Sequence, residues 1–256
     1  MPQDKSGFTM KIPKTHPRYQ SLITREKLVK YMKKGIVAET GLIAHGRGET
    51  FDYLIGEKTT PEARMAEKVA ACYLLLAKNP VVSVNGNTAA LCSKDIVKLA
   101  KLVPLKIEIN LFHRTKKRMK NVAEELKRFG AANILGEKLD ARIPGLLHNR
   151  GLCAKNGIFG SDVVLIPLED GDRAGVLKKM GKIVIAIDLN PVSRTSIAAD
   201  VTIVDNVVRA IPEITNFVKM YKTTSKKKLK SEIEKFDNKK SLLKILKSIS
   251  QLGNPQ

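Results

Sequence analysis

Five consecutive apolar residues, Ile183-Val184-Ile185-Ala186-Ile187, break off into Asp188-Leu189-Asn190-Pro191-Val192-Ser193-Arg194-Thr195. A strand that is apolar at every position has no side for water. It belongs in a sheet covered on both faces, which in practice is a parallel sheet wrapped by helices. The pattern occurs before it, where Val163-Val164-Leu165-Ile166 runs into Pro167-Leu168-Glu169-Asp170-Gly171-Asp172-Arg173, and after it, where Val201-Thr202-Ile203-Val204 runs into Asp205-Asn206. Open parallel sheets take their ligands just beyond the carboxyl ends of their strands. Polar strand ends in such close succession mark out one binding edge.

The alternation extends upstream. Residues 81–84 are a short apolar run before Asn85-Gly86-Asn87 and a helix over 88–102. Residues 106–112 read as a second strand, 115–129 as a second helix and 133–135 as a further short strand, whereas 140–159 fits no single pattern. Earlier still, residues 1–20 read as extended because Pro2, Pro13 and Pro17 restrict the backbone. A helix over 21–35 follows. The stretch 41–49, with Gly41, Gly46 and Gly48 among polar residues, reads as neither regular element. A helix over 60–77 opens at Pro61. Strands alternating with helices predict an α/β fold, a Rossmann-like parallel sheet with flanking helices.

We divide the chain into an N-terminal extension with helices packing on the core (1–80), a nucleotide-binding core (81–221) and a lysine-rich helical tail (222–256). In the tail, Leu229, Ile233 and Phe236 fall at helical spacing, and Leu242, Leu243, Ile245, Leu246 and Ile249 continue an amphipathic pattern after Asn238. This reads as a C-terminal helix docking on the domain or on a dimer mate. Removing everything after Tyr221 is expected to spare the active-site groups.

Charge sets limits on partners. The formal net charge is +21, of which ten lysines against three acids between Lys222 and Lys247 supply a third. Aromatic residues are only 5%, with no Trp, so the stacking platforms of single-strand binders are missing and no nucleic-acid partner is expected. No apolar run reaches the ~18 residues that cross a bilayer, and the first residues lack a signal-peptide core. A cytoplasmic protein without a membrane partner is expected. Cys72, Cys92 and Cys153 are widely spaced and read as small buried residues.

Several familiar sites are absent from the sequence. There is no GxxxxGK[ST], and the turn after Val84 lacks GxGxxG, which argues against P-loop enzymes and against a nicotinamide oxidoreductase. Asn85-Gly86-Asn87 can still turn tightly and expose backbone N–H groups at a helix start, where anions bind. Arg47, between two glycines, is free to approach a ligand and offers bidentate phosphate contact. Arg114, Arg173 and Arg194 also fall in turns. The Glu169-Asp170-Gly171-Asp172 cluster suits Mg2+, an amine or a helix cap. His16, His45, His113 and His148 share no ligand spacing, and only His45, beside Arg47, is placed to meet a substrate. These residues describe an enzyme of phosphorylated small molecules that uses a nucleotide.

Longer motifs carry a resemblance. His16-Pro17-Arg18-Tyr19 with Arg25-Glu26, the stretches 41–49 and 51–57, VSVNGNTAAL at 82–91, Ile109-Asn110-Leu111-Phe112, PLEDGDR at 167–173, 187–195 and 203–206 resemble the archaeal phosphopantothenate synthetases. These are the 4-phosphopantoate–β-alanine ligases of coenzyme A biosynthesis. The resemblance runs from about residue 12 to about residue 220, and the tail matches no motif. It implies an ATP-dependent amide ligase that releases AMP and diphosphate through an acyl-adenylate, with Mg2+ sharing the charge, in a homodimer. Carried over by position, ATP contacts fall on Arg25, Arg47, Asp188, Leu189, Asn190, Arg194, Thr195, Asn206 and Val207. Chemistry points to Asn85, Gly86, Asn87 and Arg114 as substrate contacts, and to Arg47, Asp170, Asp172 and Arg173 as catalytic groups. Metal ligands and the catalytic base stay open.

Overall fold

A computed structural model describes residues 12–169 and 171–251. Three helices, α1 (Tyr19–Lys33), α2 (Glu39–Leu54) and α3 (Pro61–Leu76), lead to β1 (Pro80–Val84), α4 (Gly86–Ala100), β2 (Lys106–Ile109) and α5 (Lys116–Arg128). An antiparallel pair, β3 (Ala141–Arg142) and β4 (Leu152–Cys153), precedes β5 (Val163–Pro167), α6 (Gly171–Lys179) and β6 (Ile183–Ile187). The chain then forms α7 (Arg194–Ala198), β7 (Val201–Ile203), α8 (Val207–Tyr221), α9 (Lys226–Glu234) and α10 (Asn238–Gln251).

Among the described residues, one parallel sheet runs β2-β1-β5-β6-β7, the α/β architecture expected. Strand periodicity accounts for its double burial. Ile107, Val82, Leu165, Ile185 and Val201 pair in one row across the strands and enter the larger core with α3, α4 and α8. Val81, Val164 and Val184 form the adjacent row and face the opposite way, against α6 and the 143–158 region. Each such buried side chain stabilises the fold by roughly 1.5–3 kcal/mol.

Four readings need correction or restriction. The strand expected at 133–135 is a single bridge between Leu135 and Glu108, because Gly136, at φ +99°, turns the chain across the Ile109 carbonyl. Of the stretch read as extended, residues 1–11 lie outside the described residues, while 12–18 form turns and the helix begins at Tyr19. The unassigned segment 140–159 is an excursion anchored by buried Glu108, whose carboxylate accepts from Ala154 N at 3.0 Å and Ile158 N at 2.7 Å. The largest difference is α2, which is helical throughout 41–49.

Helix α2 forms despite three glycines, each costing ~1 kcal/mol against alanine, because tertiary contacts offset that cost. Glu49 takes Arg25 at 2.8 Å and Ser21 at 2.5 Å. Asp52 takes Arg209 at 2.5 Å and Asn206 Nδ2 at 2.9 Å. Asn87 donates to the Gly41 carbonyl at 2.8 Å, an approach only glycine permits, since a Cβ there would lie 2.5 Å from Asn87 Oδ1.

The tail is two helices, and it docks on its own chain. On α9, Glu232 meets Lys68 of α3 at 2.5 Å, while Ile233, and Phe236 just beyond the helix, pack on the main core. On α10, Leu242 and Ile245 share a cluster with Ile55, Leu189 and Val204. Truncation after Tyr221 would therefore remove Leu242 and Ile245 from the cluster around Leu189 and leave Ile55 and Val204 there.

Behind the Asp52–Arg209 pair, α3 contributes Glu67, fully buried and without a hydrogen-bond partner for either carboxyl oxygen among the described residues. Burial, then the charges of Asp205 and Glu213, push it up to about 9, so it is protonated at neutral pH. The native state holds a proton that the unfolded chain releases in the ordinary carboxylate range, so this residue lowers stability as pH rises from ~4.5 to about 9. Glu67→Gln should remove that slope. Thermal unfolding at pH 5, 7 and 9 should show the variant gaining on the parent as pH rises, and a constant difference would contradict a protonated Glu67.

Candidate active site

β1 has β2 on one side and β5 on the other, so the winding of the sheet reverses between β1 and β5. Crevices at such reversals are where α/β sheets bind ligands. Here one side chain spans the crevice. Asn85 Nδ2 donates to the carbonyls of Pro167 at 3.0 Å and Leu168 at 2.9 Å, while its Oδ1 caps α4 by accepting from Thr88 N at 2.9 Å. Leu168 sits at φ +54°, a conformation costing roughly 1–3 kcal/mol for a residue with a side chain. The bond from its N–H to Ile187 O at 3.0 Å and the bond from Asn85 hold it there. Above these strand ends lies a cleft of about 830 Å³, walled on one side by α2.

One end of the cleft is built by the turns after β6 and β7. Asp188 accepts from Asn190 N at 3.0 Å and Ser193 Oγ at 2.5 Å, and Asn190 Oδ1 accepts from Val192 N at 3.0 Å. Burial pushes the Asp188 carboxyl upward, against the opposing effect of the Ser193 and Asn190 bonds and of Arg47. Ser193 caps α7 through Ser196 N at 3.0 Å, and Asn206 caps α8 through Val208 N at 3.3 Å. These caps leave the starts of α7 and α8 at the cleft, with partial positive charge there. Exposed Arg194 pairs with Asp172 at 3.2 Å, and Thr195 Oγ1 donates to Glu169 O at 3.3 Å.

The other end is cationic and lies over the first turn of α4. Arg118 donates to the carbonyls of Ile36, at 2.9 Å, and His113, and its buried Nε has no partner among the described residues. Gly86 passes beneath the Ile36 carbonyl, where a Cβ would come within 2.4 Å. Arg150, 3% exposed, reaches Glu169 at 2.5 Å, and Arg173 closes on the same carboxylate from below while donating to Ser83 Oγ at 2.8 Å. His45, on α2, lines the cleft; burial lowers its pKa, Glu49 opposes, and Arg25 lowers it further.

Most residues singled out from the sequence come together here. Arg47 projects from α2, Asn85, Gly86 and Asn87 start α4, and the 188–190, 194–195 and 206–207 segments form the far end, with Asp172 beside Arg194. Others sit elsewhere. Arg25 is engaged with Glu49 and Tyr53, next to His45 rather than on the cleft wall. Arg114 is turned to the carbonyls of Gly136 at 2.6 Å and Glu137 at 3.2 Å. Arg173 is buried beneath the floor. Asp170 lies outside the described residues. The sequence reading passed over Arg118, Arg150 and His113, all on the cleft wall. Arg118 sits in a Lys-Lys-Arg-Met-Lys run that resembles any solvated helix face, and Arg150 lies in the segment that fitted no pattern.

Known proteins resemble this chain over most of its length. Residues 62–252 match the phosphopantothenate/pantothenate synthetase model, which extends the likeness through the tail. A Thermococcus onnurineus protein named 4-phosphopantoate–β-alanine ligase is 54% identical over 93% of this chain and 91% of its own. Proteins of the same name from Thermococcus kodakarensis and Methanosarcina mazei are 51% identical (92% of this chain, 90% of theirs) and 50% identical (94% of each). With three-quarters of its length inside one family model and relatives this similar end to end, the chain belongs to the phosphopantothenate/pantothenate synthetase family.

Proposed function

We propose that the chain joins the carboxylate of (R)-4-phosphopantoate to the amine of β-alanine, consuming ATP and releasing AMP and diphosphate. The observation that carries this reading is the two-ended cleft. The capped starts of α7 and α8 with Arg47 and Arg194 suit a nucleotide at one end, and Arg118, Arg150 and the α4 start suit a second phosphorylated substrate at the other. A carboxylate does not acylate an amine unaided. Its oxygen attacks the α-phosphorus of ATP and the bond to diphosphate breaks. The amine nitrogen of β-alanine then attacks the acyl carbon, and the bond to AMP breaks. Arg47 and Arg194 stabilise charge on the phosphates, and the cleft supplies alignment.

The ammonium of β-alanine must shed a proton before it attacks, and His45 on the cleft wall is the base we assign to take it. Mg2+ fits as a counter-ion carried in with the ATP phosphates, where it neutralises charge. The cleft carboxylates are already committed: Asp188 to Ser193 and Asn190, Glu169 to two arginines, Asp172 to Arg194. Among the described residues no group of three or more His, Cys, Asp or Glu gathers to hold a metal. A homodimer and a cytoplasmic location belong to the same reading. Exposed Ile43 and Leu147 supply apolar surface for an interface, and among the described residues no helix is long and apolar enough to cross a membrane.

The deciding assay combines protein, ATP, Mg2+, 4-phosphopantoate and β-alanine. AMP and phosphopantothenate are expected; ADP with phosphate would replace the adenylate by an acyl phosphate, and no nucleotide turnover would overturn the reading. Arg47→Ala or Asn190→Ala should lower kcat/KM at least tenfold, about 1.4 kcal/mol of transition-state stabilisation. Arg118→Ala should instead raise KM for 4-phosphopantoate about tenfold while leaving KM for ATP within about twofold. His45→Gln should slow amide formation while sparing exchange of diphosphate into ATP, which reports the adenylation step alone. Equal loss of both would remove His45 from the amine step.

A further inference from the structure

The lysine-rich tail contributes no group to the chemistry above, yet α10 lies against the end of the cleft assigned to ATP. We propose that α10 is a positioning element of the nucleotide site, acting through Asn238 on α7, which carries Arg194 and Thr195, and through Leu242 and Ile245 on Leu189. The proposal rests on reading that end as the ATP site.

The polar route is continuous. Asn238 Oδ1 accepts from Thr202 N at 2.7 Å, and its Nδ2 donates to the carbonyls of Ser196 at 3.0 Å and Ala199 at 3.1 Å. Those carbonyls end α7, a helix of five residues, too short to persist without outside support. Ser196 passes the constraint on: its Oγ donates to Asn190 O at 2.7 Å, and its N–H is held by Ser193 Oγ at 3.0 Å. Ser193 in turn donates to Asp188 at 2.5 Å. One asparagine thus secures an edge of β7, the end of α7 and the turn between β6 and α7.

The apolar route converges on the same turn. Leu242 and Ile245, 6% and 1% exposed, pack with Ile55, Leu189 and Val204. Ile55 follows α2, Leu189 lies between Asp188 and Asn190, and Val204 precedes Asp205-Asn206. The three chain segments that build the nucleotide end therefore share one small cluster whose outer half is α10. Residues 222–237 do different work: Glu232 and Ile233 tie α9 to α3 and the main core. Displacements of about 1 Å at a reacting centre cost orders of magnitude in rate, so a support of this kind acts on the reaction without touching substrate.

The test uses the full chain and compares Asn238→Ala, Asn238→Asp and Ile245→Ala with Ile233→Ala, which loosens the same tail away from the cleft. KM for ATP, KM for 4-phosphopantoate, kcat and Tm are measured for each, well below the lowest Tm. Asn238→Ala and Ile245→Ala should raise KM for ATP about fivefold or more, with KM for 4-phosphopantoate within about twofold. Asn238→Asp keeps the acceptor for Thr202 N but sets a carboxylate oxygen against the Ser196 and Ala199 carbonyls, and should raise KM for ATP at least as much as Asn238→Ala. Ile233→Ala should lower Tm with both KM values unchanged. If the Asn238 and Ile245 variants change KM for ATP no more than Ile233→Ala does, the positioning role is overturned. Arg194→Ala in the same series separates the two readings: if it weakens ATP use while Asn238→Ala does not, only the role of α10 fails; if it too leaves ATP use unchanged, the nucleotide site itself is misassigned. Should Asn238→Ala fail to fold, Asn238→Asp and Ile245→Val make the same comparison.

Discussion

Two hydrogen bonds from Asn85 to the carbonyls of Pro167 and Leu168 join the ends of β1 and β5 where the sheet reverses its winding. Parallel strands at such a point diverge into separate crossovers, and the carbonyls leaving them have no ladder partner. An amide donor on the neighbouring strand end satisfies both carbonyls, while its oxygen caps α4. The left-handed backbone of Leu168, the first turn of α4 and the floor of the cleft all follow from this cross-link. A carboxylate at the position could accept but not donate, and a hydroxyl could not reach both neighbours.

Below that floor the charges are arranged to stay put. Glu169 is buried between Arg150 and Arg173, and Arg173 also holds Ser83 of β1. Removing ions from water is expensive, and a buried pair compensates only when its remaining hydrogen bonds are filled. The excursion at 140–159 brings Arg150 to this place, and Glu108 ties the excursion to β2 through Ala154 and Ile158. Acidic residues here thus organise arginines, which leaves the cleft wall net basic and suited to phosphates.

The wall formed by α2 has a different basis. It has little apolar stripe and is held by Arg25–Glu49, Asp52–Arg209 and Asn87 on the Gly41 carbonyl. Those partners come from α1, α8 and α4, so this glycine-bearing helix is helical only once the rest of the chain has folded. Its far end meets α10 through Ile55. The tail, this wall and the two strand-end turns therefore pack together at one end of the cleft.

Sequence by itself determined the sheet, because runs such as Ile183–Ile187 are apolar at every position and can be satisfied only between two helical layers. It also marked the sheet edge on which the cleft opens. Asn85, Ser193 and Asn206 stand at the starts of helices that follow strands, and an N-cap side chain is local enough to read from neighbours. Tertiary structure alone decided what happens over distance. Nothing in residues 41–49 encodes a helix, since its stabilising partners lie on other elements. Arg114 and Arg173 fall in turns like Arg47 and Arg194, yet the fold turns one to the carbonyls of Gly136 and Glu137 and buries the other against Glu169. Arg118 and Arg150 reach the cleft from segments with no local signature. A guanidinium is the same in every context, and its role depends on which acceptors the fold brings within 3 Å, a quantity that sequence spacing does not contain.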